Sequence, residues 1–268
     1  MPSWQPREII LHTKVSRDPL TRRVLSRCPN VPVRSVDSGK ASEVAGASTV
    51  LNGTDRSLLQ TVLAGKKVLF ITRAGREAVD IFRQTDERIV CPDFHRLKLA
   101  SNGCFYRCDW CYLKVTYRAA FPFITVRSGL ERIKERAAKV LESTAGPIMF
   151  NAGELADSLA LEHLTGSLRE LIPWFAAQAK GYLFLLTKSD AVDPILDCQH
   201  QGHTVLTWSL NNETVSRRFE LGAPSLASRL EAAGKAQQAG YRIRIRLDPI
   251  VPLPGWREMY ARTIREMM

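Results

Sequence analysis

The chain has 268 residues, of which 45% are hydrophobic and 24% are charged, a composition typical of a globular protein that buries a core. No run of 18 or more apolar residues occurs, which argues against a transmembrane helix, and the first residues lack the pattern of a secretory signal. We therefore expect a cytoplasmic protein with reduced thiols. The net charge of +11 favours a polyanionic partner such as DNA or RNA, although a basic surface without such a partner has the same composition.

The first third of the chain is predicted to form a small α/β domain over residues 1–90. It contains three apolar stretches typical of strands and two stretches with helical periodicity. A segment rich in Gly, Ser and Ala, residues 37–55, is predicted to be a loop. The predicted order is strand 8–13, helix 19–28, strand 31–36, helix 56–65 and strand 66–73.

The remainder, residues 91–268, alternates between apolar strands and amphipathic helices. This alternation predicts parallel strands joined by right-handed crossovers. Five such units do not close an eight-stranded barrel, so we expect an α/β fold of the open, partial (β/α) barrel type, with ligands at the carboxyl ends of its strands. The predicted strands are 97–101, 147–153, 182–188, 204–210 and 241–250, and the predicted helices are 128–144, 156–179, 192–198, 225–240 and 255–268.

Three cysteines follow the first of these strands within eight residues: Cys104, Cys108 and Cys111, with the spacing C-x3-C-x2-C. A structural zinc site needs four protein ligands. Here the fourth would be Cys91 or His95, which precede the strand and would be carried to its other end. A [4Fe–4S] cluster held by three thiolates keeps one iron open for a substrate or cofactor. The pattern therefore favours an iron–sulfur cluster over zinc.

This motif, followed by an aromatic residue and placed after the first strand of a partial barrel, resembles that of the radical S-adenosylmethionine (SAM) superfamily. Longer stretches, among them "CDWCYLK", "FNAGELADSLALEHL" and "RRFELGAPSLASRLEAAGKAQQAGY", are similar, in order, to the spore photoproduct lyase group. The resemblance implies that the open iron chelates SAM and that the reduced cluster cleaves SAM to a 5′-deoxyadenosyl radical. It also implies repair of a thymine dimer in DNA and an external electron donor of the flavodoxin or ferredoxin type.

The resemblance assigns roles to individual residues. The three cysteines match the cluster ligands, and Tyr112 matches an aromatic residue that packs near the SAM adenine. Lys188 and Ser209 match polar residues at strand ends that contact SAM, and Asn211 is a weaker candidate on the same strand as Ser209. The chemistry agrees, because the SAM carboxylate needs a cation and its ribose needs hydroxyl or amide partners. The alternatives are a solvated lysine and simple turn or cap roles for the other two.

The loop after the second barrel strand departs from the lyase pattern. Glu154 stands where the lyases carry a cysteine that returns a hydrogen atom to the product radical, and "AGE" resembles a turn whose carboxylate accepts from the SAM amino group. Trp110 stands before the last cysteine of the motif, where a tyrosine is expected, and neither Cys28 nor Cys198 is expected on a strand end that faces the lumen. Tyr112 and Glu154 are therefore the catalytic candidates, and we predict a radical reaction that needs no cysteine quench rather than efficient spore photoproduct lyase activity.

The last predicted strand, "YRIRIRLDPI", alternates between apolar and charged residues, so each kind occupies one face. The apolar face is predicted to pack on the helices and the arginine face to point into the barrel lumen. Buried guanidinium groups need anionic partners, which would be SAM, a phosphate-bearing substrate or the carboxylates of Glu154 and Asp157. Arg244 and Arg246 are therefore candidate cofactor-binding residues, whereas Arg242 is expected at the exposed end of the strand.

The resemblance also bears on the end of the barrel. Members of the group carry a further strand and a C-terminal extension after the stretch that matches "GWREMY", and this chain is expected to lack them. The fifth strand would then be an edge strand, which promotes association, so we expect another subunit or chain segment to cover it. Two alternative functions stay open: radical SAM chemistry on a small molecule or a peptide, and a basic zinc-binding nucleic-acid module without catalysis.

Overall fold

The structure, a computed structural model, describes residues 4–52, 56–83, 93–116 and 121–267. Within these ranges the chain forms two sheets made mostly of parallel strands, with helices packed on them, and one short two-stranded ladder. No helix in the same ranges is long and apolar enough to cross a membrane.

Strands and helices alternate along the chain, as is typical of α/β proteins. The strands are β1 Glu8–His12, β2 Val33–Val36, β3 Val68–Arg73, β4 Val79–Phe82, β5 Phe94–Leu97, β6 Ala100–Ser101, β7 Arg107–Cys108, β8 Ile124–Ser128, β9 Ile148–Asn151, β10 Gly181–Thr187, β11 Thr204–Leu210, β12 Glu220–Leu221 and β13 Arg242–Leu247. The helices are α1 Pro19–Arg27, α2 Ala41–Ala47, α3 Leu58–Gly65, α4 Leu113–Thr116, α5 Leu130–Ser143, α6 Glu162–Thr165, α7 Leu168–Ala176, α8 Glu213–Phe219, α9 Leu226–Gln238 and α10 Trp256–Glu266.

The larger sheet has the strand order β13-β11-β10-β9-β5-β4. Neighbouring strands are parallel except for β4, which is antiparallel to β5. Among the described residues no pairing joins β13 to β4, so the sheet is open, as expected for a partial barrel. The carboxyl ends of its parallel strands lie along one edge, which is where ligands bind in open α/β sheets.

The smaller sheet has the order β2-β1-β3-β8-β6. Its first three strands come from the predicted N-terminal domain, but β8 and β6 come from later in the chain. Conversely, β4 precedes residue 90 and pairs with β5 in the larger sheet. The two sheets therefore exchange strands across residue 90, and the division into domains 1–90 and 91–268 stays a prediction.

Two main hydrophobic clusters hold these layers together. The cluster on the helix side of the larger sheet contains Trp208, Phe150 and Leu185, all fully buried. Helix α5 contributes to it through Ile133 and Ala137, which are four residues apart and so lie on one face of the helix. A second cluster lies between the smaller sheet and α1. Fully burying a side chain such as Leu185 contributes about 1.5–3 kcal/mol.

In two segments the structure differs from the predicted secondary structure, because tertiary packing outweighs the local sequence pattern. The predicted loop 37–55 contains α2, whose Val44 is fully buried in a third apolar cluster. The predicted helix 156–179 is instead two helices, α6 and α7. They are separated at Gly166, whose φ of 60° lies in the left-handed region that ends helices.

The strand predicted over 97–101 is also divided. Strand β5 ends at Leu97 in the larger sheet, and the chain then crosses to pair Ala100–Ser101 with β8 in the smaller sheet. Strand β8, Ile124–Ser128, is not among the predicted strands, although the predicted helix 128–144 follows it directly. The cysteine loop therefore leaves from the smaller sheet and reaches the edge of the larger one.

Candidate radical SAM site

A cavity of about 320 Å³ opens at the carboxyl ends of the strands of the larger sheet. Its wall combines the cysteine loop with residues at the ends of β9, β10, β11 and β13: Cys104, Tyr106, Cys108, Trp110, Cys111, Leu113, Gly153, Ala156, Asp157, Leu186, Thr187, Lys188, Ser209, Asp248 and Pro249. The structure thus brings the three predicted cluster ligands and two predicted SAM contacts, Lys188 and Ser209, to one cavity.

The first part of the cysteine loop is held by residues from early in the chain. The buried ammonium group of Lys66, at the end of α3, donates to the carbonyl oxygen of Cys104 at 2.6 Å and to that of Tyr106. Phe105 stacks on Trp4, with ring centroids 4.9 Å apart. Burying an ammonium group is costly unless acceptors surround it, so these carbonyl groups and Lys66 hold one another in place.

The middle of the loop is held from the other side of the cavity. Cys108 pairs with Glu220 in the antiparallel β7–β12 ladder, and the amide of Asp109 donates to the carbonyl oxygen of Phe219 at 2.8 Å. Backbone pairing fixes the position of the middle cysteine without using its side chain. The thiol therefore stays available to face the cavity.

The chemistry of the three thiols fits an iron–sulfur cluster. The five described cysteines form no disulfide. Burial raises the pKa of Cys104 to about 11 and that of Cys108 to about 12. The thiolate is the form that binds metals, and burial disfavours it. The positive charge of bound iron would therefore be needed to stabilise these cysteines as thiolates. Thiolates are the ligands that hold such clusters.

A mononuclear zinc site receives no support. In the part of the chain that the structure describes, no three His, Cys, Asp or Glu side chains, the three motif cysteines included, are close enough together to hold a single metal ion. His95, one predicted fourth ligand, packs against Phe150 with ring centroids 5.4 Å apart. Cys91, the other, lies outside the described residues. Three thiols distributed around one cavity suit a multi-iron cluster better than one tetrahedral ion.

A buried ion-pair network lies behind the cavity wall. The ammonium group of Lys188 donates to the hydroxyl of Ser209 and lies 3.3 Å from the carboxylate of Glu220. Glu220 in turn lies 2.6 Å from the guanidinium of Arg229, and both of these side chains are completely buried. Arg229 also donates to the backbone oxygen of Ser209 at 3.1 Å. This network connects the end of β11 to the ladder that carries Cys108.

Asp157 ties two strand ends together. Its carboxylate accepts from the amides of Leu159 and Ala160, so it caps a turn that precedes α6. It also accepts from the hydroxyl of Thr187 at 2.7 Å and from the amide of Lys188 at 2.6 Å. Burial raises the pKa of Asp157, and these four hydrogen bonds oppose that shift. The loop after β9 is thereby fixed to the end of β10.

The two catalytic candidates, Tyr112 and Glu154, are not part of the cavity wall but adjoin residues that line it, and they contact each other. The hydroxyl of Tyr112 donates to the backbone oxygen of Glu154 at 2.8 Å, and the Glu154 carboxylate accepts from the amide side chain of Asn151 at 3.0 Å. The neighbouring Gly153 lies so close to β10 that an added Cβ would be 2.6 Å from the Cβ of Leu186. This close approach requires glycine in the "AGE" turn, and it places Glu154 beside the cavity wall.

Asn211 has structural partners. It is completely buried, donates to the carbonyl oxygen of Pro249 at 2.8 Å and accepts from the hydroxyl of Tyr260 on α10. Its side chain therefore links β11 to the segment after β13 and is not part of the cavity wall described above.

Arg244 and Arg246 lie on the predicted face but not in the predicted surroundings. Arg246 is paired in register with Ser209, so it shares the lumen face, yet its side chain is 47% exposed and pairs with Asp248 at 3.2 Å. Among the described residues neither arginine forms an ion pair with Glu154 or Asp157, so these two carboxylates are not the anionic partners. Within the described residues β13 is the outermost strand of the larger sheet, so its lumen face is open to solvent.

Three residues that support the site were missed by the sequence analysis: Lys66, Glu220 and Arg229. Each is charged and buried, and each acts through a partner that is distant in sequence or on another element. No local pattern indicates such pairings. Buried charges of this kind are recognised only when the fold places them together.

An open sheet with a three-cysteine loop at its strand ends defines a partial barrel of the radical SAM type. The sequence model of the spore photoproduct lyase family matches residues 95–268, so the chain belongs to that family. Spore photoproduct lyase from Geobacillus sp. is 34% identical over 168 residues, which cover 62% of this chain and 49% of that protein. The Bacillus subtilis lyase is 33% identical over the same coverage. The chain thus spans about half the length of these curated relatives.

Solved structures give the same fold. A cysteine-to-alanine variant of spore photoproduct lyase is similar with a TM-score of 0.85 and 26% identity, over 99% of this chain and 74% of that one. Another variant, solved with bound AdoMet and dinucleoside spore photoproduct, has a TM-score of 0.85 and 26% identity over 100% of this chain and 74% of that one. These likenesses confirm the predicted fold class.

Proposed function

We propose that this chain is a radical SAM enzyme that uses a [4Fe–4S] cluster and SAM to act on a nucleic-acid lesion of the spore photoproduct type. The observation that carries this proposal is the meeting of three thiols with Lys188 and Ser209 in one cavity at the strand carboxyl ends. The likeness to a lyase structure with bound AdoMet and dinucleoside spore photoproduct supports the choice of cofactor and substrate class.

In this proposal Cys104, Cys108 and Cys111 hold the cluster. When bound, the cluster supplies the electron that breaks a carbon–sulfur bond of SAM. Lys188 provides a cation for the SAM carboxylate, and Ser209, which already accepts from Lys188, provides a hydroxyl partner. The other predicted cofactor contacts, Asn211, Arg244 and Arg246, would act indirectly, since they lie outside the described cavity wall.

Tyr112 and Glu154 would act beside the cavity. We propose that Glu154 accepts a hydrogen bond from the SAM amino group, while Tyr112 packs near the adenine. Two solved lyase structures carry replacements at a tyrosine and at a cysteine, and these positions have the same separation of 42 residues as Tyr112 and Glu154. That spacing supports the prediction that a carboxylate stands here in place of the lyase thiol.

Further partners belong to the same proposal. An electron donor of the flavodoxin or ferredoxin type would reduce the cluster, and a reducing, cytoplasmic location would suit the free thiols. A second subunit or chain segment would cover β13, whose Ile245 is 39% exposed.

A direct test is anaerobic incubation of reconstituted protein with SAM, dithionite and dinucleoside spore photoproduct. We expect 5′-deoxyadenosine to form, and its yield to rise when the photoproduct is present. Omitting dithionite is the matched control and should abolish the product. A protein that binds iron and sulfide but never yields 5′-deoxyadenosine would contradict the radical SAM assignment, and a yield indifferent to the photoproduct would redirect the search to small molecules or peptides.

A further inference from the structure

We propose that the β7–β12 ladder and the last turn of α8 form a rim that binds the phosphates flanking the nucleotides in the cavity. This inference rests on the proposed function, because it takes the substrate to be a lesion within a nucleic-acid strand. The rim is defined here by Arg107, Trp110, Arg217, Arg218 and Phe219.

A continuous row of side chains leads from the cavity to this rim. Trp110 lines the cavity, and its ring lies 5.7 Å from that of Phe219, at a tilt of 41°. The guanidinium of Arg218 lies over the Phe219 ring, 5.0 Å from its centroid. Arg107 joins the row because the ladder pairs it with Leu221, two residues after Phe219. Aromatic rings therefore extend from the cavity wall toward exposed cations.

The charges of the rim are unneutralised. Arg107, Arg217 and Arg218 are exposed, and within the described residues none of them forms an ion pair. By contrast, Arg169 on α7 is paired with Asp197 at 2.6 Å. Two nearby acidic groups are occupied elsewhere, and the exposed Glu213, four residues before Arg217 on α8, forms no ion pair with it within the described residues. Glu220 points inward to Arg229, and Asp109 contacts Lys114 at 3.5 Å.

An explanation from the helix dipole of α8 alone accounts for only part of this arrangement. Cations near a helix C-terminus interact favourably with the helix dipole, which would account for Arg217 and Arg218 on α8. It does not account for Arg107, which lies on another segment, nor for the two aromatic rings between the arginines and the cavity. An anionic strand accounts for all of them.

Nucleic acid is the partner whose chemistry fits. Arginine forks bind phosphate oxygens with two parallel hydrogen bonds, and such contacts fix a strand without reading its sequence. Aromatic rings provide stacking surfaces for unpaired bases, and positively charged grooves follow the backbone of single strands. A base that leaves its stack to enter the cavity would pass Trp110, with its neighbouring phosphates at the rim.

The test compares two substrates, since a dinucleoside carries no flanking phosphates. Binding of a single-stranded oligonucleotide that contains the photoproduct is measured by fluorescence anisotropy over a range of salt concentrations. For Arg217→Gln/Arg218→Gln we expect the slope of log K against log salt to fall by roughly 1.4, about 0.7 for each lost contact. Dinucleoside-dependent formation of 5′-deoxyadenosine should change less than twofold.

Matched variants separate charge from folding. Arg17→Gln/Arg22→Gln removes two exposed arginines that form no ion pair with any described residue and do not line the cavity, and it should leave the salt slope unchanged. Arg217→Lys/Arg218→Lys keeps the charge and should keep the slope. An unchanged slope for the double glutamine variant, or equal losses with dinucleoside and oligonucleotide, would overturn the inference. If the double glutamine variant lowers the salt slope of oligonucleotide binding as expected but the wild type forms no 5′-deoxyadenosine, the proposed function is wrong and the phosphate-binding role of the rim is still supported.

Discussion

Strands β11 and β13 are neighbours with the same alternation of side chains but opposite surroundings. Six of the seven residues of β11 are buried, and its Ser209 lines the cavity. None of the residues of β13 is fully buried, although Arg246 is paired in register with Ser209 on the same face. A lumen face is therefore a functional wall only where strands flank it on both sides.

The arginines of β13 form contacts that are typical of an exposed edge strand. Arg244 lies over the ring of Phe184, 6.0 Å from its centroid, and Arg246 pairs with Asp248 two residues on. Both contacts are exposed to water and contribute little free energy, about 0–1 kcal/mol for a surface ion pair. On the β11 side the pair of Glu220 and Arg229 is excluded from water. The predictions below test how far this contrast extends into function.

The largest effect is expected at the cysteine loop. Replacing Cys108 by Ala removes the middle thiol of the motif, and we expect loss of the cluster and of all SAM cleavage. The measurement is iron and sulfide content after anaerobic reconstitution, together with 5′-deoxyadenosine yield. Cys198→Ala, at a thiol outside the cavity wall, is the control and should retain both. Iron content and SAM cleavage that survive Cys108→Ala would show that the cluster is held elsewhere.

The second prediction compares the buried and the exposed ion pair. Arg229→Met leaves Glu220 buried with Lys188 as its remaining cationic partner, and it removes donors from two backbone oxygens. A fully uncompensated buried charge costs about 3–5 kcal/mol, but Lys188 still partly compensates Glu220. We therefore expect the free energy of unfolding to fall by about 1.5–3 kcal/mol, the contribution of a hydrogen bond to a charged group. Arg246→Met should change it by less than about 0.5 kcal/mol. Equal losses in urea denaturation would contradict the contrast between a buried and an exposed ion pair.

These two cases show what could be predicted from the sequence. The strands β10 and β11, the cysteine spacing and the faces of β13 follow from periodicity and motif, which depend on neighbouring residues. The burial of Glu220 and Arg229 and the role of Lys66 depend on contacts between distant segments. No pattern within one segment indicates whether a strand will be central or at the edge, so the surroundings of the β13 arginines could not be predicted.

The third prediction applies the contrast to the cofactor. Lys188 lies in the cavity wall, where its ammonium group is held by Ser209 and Glu220, whereas Arg244 lies on the open strand. A hydrogen bond to a charged group contributes about 1.5–3 kcal/mol, so Lys188→Met should raise the dissociation constant of SAM roughly 10- to 150-fold. Arg244→Met should raise it less than twofold. Anaerobic titration calorimetry measures the dissociation constant of SAM for both variants. Similar increases for the two variants would contradict the difference expected between the cavity wall and the open strand.

The smallest effect on binding is expected at Glu154, which is partly exposed and already accepts a hydrogen bond from Asn151. Glu154→Ala should raise the dissociation constant of SAM about fivefold, since a typical hydrogen bond contributes about 1 kcal/mol. Glu135→Ala, at an exposed glutamate of α5, should have no effect.

The same position carries a larger consequence for the product. A carboxylate has no weak S–H bond from which a product radical could take hydrogen, so wild-type protein should consume dinucleoside spore photoproduct without clean conversion to thymines. Glu154→Cys places a thiol next to the hydroxyl of Tyr112, which now contacts the backbone oxygen of Glu154 at 2.8 Å, and it should gain repair. Chromatography of the products distinguishes these outcomes. Clean repair by the wild type would show that hydrogen reaches the radical from another group, and would place this chain among the efficient lyases despite its glutamate.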